Sequence, residues 1–505
     1  MSKQESVIVL GGGIAGLTAA ALLAHEGIPT ILLEAHYQVG GCAGTFRRGQ
    51  YIFDVGATQV AGLEIGGIHE RLFRHLKSPL PLAEVLDPGC LVDLNDGSTP
   101  INLWYETKKW QKEREQQFPG SKSFWDLCDY LHKSNWSIAV RDPVLPIRNF
   151  WDLIQLVKAM RVTNLPSSFF SILSVTDLLK ICGCDQDERL KKFLNMQLKL
   201  YSQTTADCTA ALYGATVLQM AQAPLGLWHL KGSMQNLSDQ LKSCFMRDQG
   251  QLLLRHRVTR LIPGSHQTPW IVEAVNQKGK VLKFQALDVI CSFPPQALLE
   301  IMSIDYGMPR SFQNRLRNLN KPTGALVFYG VINRIALSAD TPSHIQLASK
   351  NFGSIFISIS RDGDGRAPIG QATLIASIFA EVDYWTSLND GNYQEQKRIT
   401  LSLIVEELNR YFQLSLEDWR HQELATPRSF ERWTGRPRGI VGGLGQYPFN
   451  FGLFGLPSRT PLQGLWLCGD SIYPGEGTAG VSQSAFMACR QLMASRNNRK
   501  LSLET

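Results

Sequence analysis

The chain has 505 residues, 44% apolar and 19% charged, with a formal net charge of +7. That length supports a large buried core in two or more domains. Its charged share is low for a soluble domain, it has no run of five Lys or Arg to suit a nucleic acid, and ten cysteines are too sparse for a disulfide scaffold.

In chain order, Val7 to Leu10 reads as a short apolar strand that runs into Gly11-Gly12-Gly13-Ile14-Ala15-Gly16 and then an apolar helix to Ala24. A second strand, Thr30 to Leu33, ends on Glu34. Strand, glycine turn, helix and acid-tipped strand form the fingerprint of an adenine-dinucleotide site. Gly11 serves the tight turn, Gly13 the approach of the pyrophosphate, and Gly16 the packing of helix on sheet. The pyrophosphate meets free N–H groups at the helix start. Glu34 is placed to accept bonds from ribose hydroxyls and disfavours a 2′-phosphate, which would set like charges close together.

The pair Gly40-Gly41, within Gly40 to Arg48, lets a second loop approach the cofactor. Asp54 follows it, either holding a loop or helping to remove a proton. His69-Glu70 lacks the further ligand a zinc-binding helix needs. Helices are expected across 110–230, most clearly over Lys122 to Leu131 and Asp185 to Leu200. Within this stretch, Val144 to Val175 mixes aromatic and aliphatic bulk with Arg148, Lys158 and Arg161, which suits either an element lying on a bilayer surface or a core helix pair. No stretch reaches eighteen continuous apolar residues, so a transmembrane span is not expected, and no signal peptide is visible.

Gly250 to Gln267 and Asp288 to Ser292 read as further strands of the dinucleotide domain, and Pro294-Pro295 blocks simple continuation. Strands of a second sheet are expected over 320–350 and 351–378, then a turn at Asn389 to Asn392 and a helix from Gln394 to Arg410. Arg428 to Gly443 is dense in cations and glycines; Arg436 is a candidate for the cofactor or tunnel mouth, with surface salt bridging the alternative. Trp433 is either a polyene-facing ring or packing. Tyr447 to Phe454 is either a tunnel wall or core. Near the end, Leu465 to Asp470 is a strand ending on Gly469-Asp470, and Gly477 to Val481 opens a glycine-rich helix. An acid there suits a polyhydroxylated ribityl chain, which FAD has and NAD lacks. The cysteines read as reduced, mostly buried thiols of a cytosolic-type compartment.

The fingerprint, the Gly-Gly-Cys-Ala-Gly-Thr-Phe segment, Phe53 to Ala57, Arg428 to Gly443 and Gly469-Asp470 together resemble the phytoene-desaturase and carotenoid-isomerase family of FAD-dependent oxidoreductases. Asp54 to Glu64 followed by Gly66 to His69 is similar to the C-3′,4′ carotenoid desaturases of cyanobacteria, which act on the route to myxoxanthophyll. The resemblance implies an α/β fold: a discontinuous Rossmann-like FAD domain (1–110, 231–300 and 456–505), a substrate or membrane-facing helical region (111–230) and an α+β substrate domain (301–455), amine-oxidase-like overall. It implies that Val258 touches adenine through its backbone and that residues near Ser292 close over the dinucleotide. The expected substrate is a long apolar carotenoid, the expected electron acceptor oxygen or a membrane quinone, and the expected location the cytoplasmic face of a membrane. No nucleic acid and no metal are expected. A poly-cis-carotene isomerase using reduced FAD, a retinoid saturase and a non-catalytic FAD-bearing escort are the competing expectations. No nucleophile elbow and no phosphate-binding Gly-Lys-Ser loop is present, so the flavin is expected to carry the reaction.

Overall fold

In the computed structural model, residues 6–264, 268–302, 307–319, 323–497 and 500–503 are described. The ends of the expected stretches 250–267 and 320–350 therefore fall partly outside the described residues. Val7–Leu10 is the centre of a five-stranded parallel sheet, in the order Leu465–Leu467, Asp288–Cys291, Val7–Leu10, Thr30–Leu33, Gln251–Leu253. Its strands are nearly all Val, Ile and Leu because both faces are covered. On one face, the almost wholly buried helix Ile14–His25 packs between Gln235–Arg247 and Gly477–Asn497. Three stretches far apart in the chain thus build one sheet and its covering helices.

Beside it, His256–Ile262, Trp270–Asn276 and Val281–Ala286 form a three-stranded antiparallel sheet. A seven-stranded sheet makes the second layer, in the order Trp419–Ala425, Gly324–Asn333, Gln371–Ala380, Gly353–Ile359, His344–Ser349, Leu91–Asp93, Ile101–Asn102. Leu91–Asp93 pairs in parallel with His344–Ser349, so residues 91–102 belong to this second sheet and the first dinucleotide segment ends before 110. The expected helices run over Lys122–Ala139 and Glu188–Ser202. Asn389 is a helix cap rather than part of a free turn: its side chain accepts from the Asn392 N–H at 2.9 Å and the helix begins at Asp390.

Val144 to Val175 is neither a plain core pair nor a simple amphipathic helix. In Phe150–Ala159 the buried residues are Asp152, Gln155 and Ala159, while Phe150, Leu153 and Val157 face outward. The same inversion continues, with Asn164 and Ser167 buried and Val162, Leu165, Phe169 and Ile172 exposed. Asn164 donates to Ser134 and Ser137, and Arg490 donates to Gln155 at 2.7 Å, so internal hydrogen bonds hold much of the buried polar side, while Asp152 Oδ1 has only the Arg459 guanidinium at 3.8 Å. Among the described residues, no helix is long and apolar enough to cross a membrane.

Candidate active site

A cavity of about 740 Å³ opens along the carboxyl ends of the parallel strands, the place where an open α/β sheet binds its ligand. Gly11, Gly13 and Glu34 line one stretch, Gly40 and Gly41 a second, and Gly469, Asp470, Gly477 and Val481 a third. The two glycine loops are joined, because Gly40 N–H donates to Gly12 O at 2.8 Å. Gly11 has a φ of +99° and so needs glycine. Gly13 has ordinary backbone angles, yet a Cβ there would meet no protein atom within 4 Å; it would project into the open space a pyrophosphate needs. Gly16 does not line the cavity. A Cβ on it would lie 1.9 Å from Gly11 O, so its work is packing.

Glu34 accepts the Gly12 N–H at 2.6 Å and the His36 N–H at 2.7 Å. Burial pushes its carboxyl up, and these backbone bonds pull against that shift. Each oxygen keeps a lone pair for a ribose hydroxyl. Asp470 sits two strands from the centre on the opposite side of the sheet from Glu34. A dinucleotide with its adenosine on Glu34 and its pyrophosphate over Gly13 is therefore directed toward Asp470 and the helix start at Gly477.

Arg436 lines this end with its guanidinium fully engaged: Nε donates to Ile440 O at 2.7 Å, and Nη2 to Gly442 O at 2.6 Å and to Asp470 Oδ2 at 2.8 Å. Burial is the largest influence and works against its charge, but the Asp470 carboxylate, together with Cys42 and Glu476, holds its pKa above the ordinary value. Arg436 thus fixes Asp470 in place.

Several expected residues lie elsewhere. Asp54 is not in the cavity wall: its carboxylate accepts from Arg366 Nε and Nη2 at 3.1 and 3.0 Å and from the Met234 N–H at 2.9 Å. With both oxygens engaged in a buried ion pair, it has no free approach to a substrate. Val258 also falls outside the wall; its strand runs past Glu34, where His256 N–H donates to Glu34 O at 2.8 Å, and the Val258 side chain packs beside the core under the sheet. Trp433, 53% exposed, stands edge-on to His36 at the adenosine end, away from the flavin end. None of Tyr447, Phe449, Phe451, Leu453 and Phe454 lines the cavity, and Phe449, Leu453 and Phe454 are exposed rather than core. Ser292, Phe293 and Pro294 do line it, and the Ser292 hydroxyl lies 2.9 Å from the carbonyl oxygens of Leu10 and Gly11, its acceptors.

One residue of the cavity escaped the sequence reading. Glu476, between Gly475 and Gly477, stands half-buried in the wall beside Asp470. Gln203 Nε2 donates to its Oε2 at 2.9 Å and the Gly443 N–H to its Oε1. Burial, reinforced by the Asp470 carboxylate, pushes its pKa up to about 8. The only sequence signal was a lone acid in a glycine-rich helix approach.

A family model described as flavin containing amine oxidoreductase matches residues 14–493. The chain belongs to this family. The cavity and the family agree, and FAD is the cofactor; Glu34 would hold its adenosine, Gly11 to Gly13 its pyrophosphate, and Asp470 with the start of the last helix its flavin half. The chain is 23% identical to prolycopene isomerase 2, chloroplastic, of an Oncidium hybrid cultivar, over 98% of this chain and 84% of that protein. It is 26% identical to 4,4′-diapolycopene oxygenase of Methylomonas sp over 48% of this chain and 47% of that one. Putrescine oxidase bound to putrescine has the same fold, with a TM-score of 0.64 at 18% identity, covering 97% of this chain and 98% of its own.

Proposed function

We propose that this flavoprotein is a carotenoid desaturase: it introduces a C=C bond into an acyclic-ended carotenoid, at the C-3′,4′ position on the route to myxoxanthophyll. The observation that carries the substrate class is the outward-turned apolar surface of 150–172 and 449–454 on an FAD scaffold, which suits a substrate drawn from lipid. The full-length likeness to prolycopene isomerase supports a polyene. FAD, when bound, supplies a hydride acceptor. The chain's part is to hold the cofactor rigidly between Glu34 and Asp470, to keep water from the reacting carbons, and to remove a proton. Electrons pass on to oxygen or a membrane quinone; Glu34 disfavours a nucleotide with a 2′-phosphate at this site.

The test is FAD-loaded protein incubated with lycopene-like and 1′-hydroxylated acyclic carotenes. A red-shifted product lacking two hydrogens is expected. Unchanged substrate across the panel, with flavin intact, overturns the reading. A second reading, poly-cis-carotene isomerisation by reduced FAD, is favoured by the name of the plant relative; a product of equal mass identifies it. The outward apolar surface also supports a peripheral position on the cytoplasmic face of a membrane.

A further inference from the structure

Desaturation removes a hydride and a proton from neighbouring carbons, and the second needs an acceptor. At the flavin end of the cavity the charged groups are Asp470, Arg436 and Glu476. Asp470 and Arg436 neutralise each other at 2.8 Å. Glu476 has no cationic partner among its hydrogen bonds, only the amide of Gln203 and the N–H of Gly443. Tyr213 on the packed helix Ala211–Val217 also faces it, and its hydroxyl is spent on Tyr201 O.

The carboxyl is aimed as well as half-buried. The Thr323 hydroxyl donates to Gln203 Oε1, which turns the Gln203 amide nitrogen toward Glu476. Gln203 occupies a left-handed cap, φ +61°, at the end of Glu188–Ser202. A Cβ on Gly442 would lie 2.5 Å from Glu476 Oε1, so glycine there admits the close approach. Gln203 and Gly443 thus converge on one carboxyl group from distant parts of the chain, with Thr323 holding Gln203 from behind.

We propose, resting on the desaturase reading above, that Glu476 is the proton acceptor of this site. One C–H bond of the substrate breaks with its electron pair leaving as hydride to oxidised FAD. The adjacent C–H bond breaks with its proton going to a Glu476 oxygen, and the electrons of that bond become the new C=C bond. The substrate loses two electrons, FAD gains them, and Glu476 returns its proton to solvent after product leaves. A carboxyl poised near 8 is half ionised close to working pH, where a general base is most effective.

The experiment compares FAD-loaded wild type with Glu476→Gln and Glu476→Asp. Infrared difference spectra of the loaded proteins, titrated from about pH 6 to about pH 10, follow the carboxyl itself. The expected results are a protonated-carboxyl band lost near pH 8 in wild type and absent in Glu476→Gln. The kcat/KM for the desaturated polyene rises with pH through the same midpoint in wild type. In Glu476→Gln it falls by about 100-fold or more and is flat in pH, while Glu476→Asp regains part of it with the rising limb restored. Loss of the pH limb with unchanged FAD stoichiometry separates proton transfer from a merely structural role. Wild-type rate and pH profile in Glu476→Gln, or no carboxyl titrating in this range, overturns the proposal while the desaturase reading stands. A wild-type product of equal mass, or no turnover at all, overturns the desaturase reading and this assignment with it.

Discussion

At the scale of single residues, the three fingerprint glycines do different work, and their substitutions separate. Gly13→Val keeps an allowed backbone and points its branched carbon into empty space, so the fold survives and the pyrophosphate loses its seat. The expected outcome is a soluble, colourless protein whose apo-form melts within about 2 °C of wild type; stoichiometric FAD after purification contradicts it. Gly16→Ala drives a methyl against Gly11 O and is expected to destabilise the apo-protein by about 3 kcal/mol, read from urea midpoints. His69 shows the same resolution for pH. Its fully buried ring bonds Ala61 O at 2.9 Å and Ser482 Oγ at 3.1 Å, and burial lowers its pKa to about 4. The unfolded chain takes up this proton near the ordinary histidine value of 6.5, before the native state does. Stability from this group is therefore complete above pH 6.5 and drains away as pH falls toward 4, by at most about 3 kcal/mol. His69→Gln is expected to flatten part of that acid slope in urea titrations; an unchanged slope rules the histidine out as its source. His344, lowered to about 3, and His132, lowered to about 4, keep more of it.

At the scale of elements, Asp54 ends the strand Tyr51–Asp54 and clamps it to the loop carrying Asp364 and Arg366 and to the start of Gln235–Arg247. Arg366 also bonds Asp364, His229 and Leu230 O, each at 3.1 Å. Removing one partner leaves buried charge uncompensated. Asp54→Asn is thus expected to cost about 3 kcal/mol, at the low end because Asp364 remains, and to leave the pH dependence of turnover unchanged; a lost pH limb with unchanged stability returns Asp54 to the chemistry. This clamp was illegible in the sequence because its partners lie 312 and 180 residues away. The parallel strands and Ile14–His25 were legible because period, glycines and the tip acid are all local. Glu34, Gly13 and Asp470 share one cavity because each follows the carboxyl end of a strand of the same parallel sheet. Arg436 was visible as an unusual cation, but its bond to Asp470 is made only when Gly435 to Gly443 folds back on the strand end. The strip from Tyr447 to Phe454 had bulk without a period, so neither wall nor core followed from it. Asn389 looked like a turn because a helix cap and a turn use the same side-chain bond.

At the scale of the whole molecule, the distribution of apolar surface sets where the protein rests. Phe150, Phe169 and Phe449 are 76%, 79% and 67% exposed. The turn Phe169–Ile172 abuts Pro448–Asn450, which joins two of these rings into one face. Arg315 donates to Phe454 O and Gly455 O at 3.2 and 2.8 Å and shares its field with Arg148, so cations border the aromatic loop. Arg148, Lys158 and Arg161 are exposed beside the apolar side chains. Water is a poor partner for that face. We propose that a bilayer surface takes the rings below its headgroups and the cations among its phosphates, where each buried ring would contribute about 2 kcal/mol. Trp151 and Phe170 are not the anchors, since both are partly buried and Arg490 lies over the Trp151 ring at 5.6 Å. The decisive comparison is flotation of the FAD-loaded protein with anionic and neutral liposomes against a variant carrying Phe150→Ser, Phe169→Ser and Phe449→Ser. Wild type is expected to float, more strongly with anionic lipid, and the variant to lose about 10,000-fold in partitioning while keeping its flavin. Equal flotation of the two removes this face from the account. A wild type that stays with the soluble fraction at low salt removes the membrane position itself, and leaves those rings to be covered by a second protein surface.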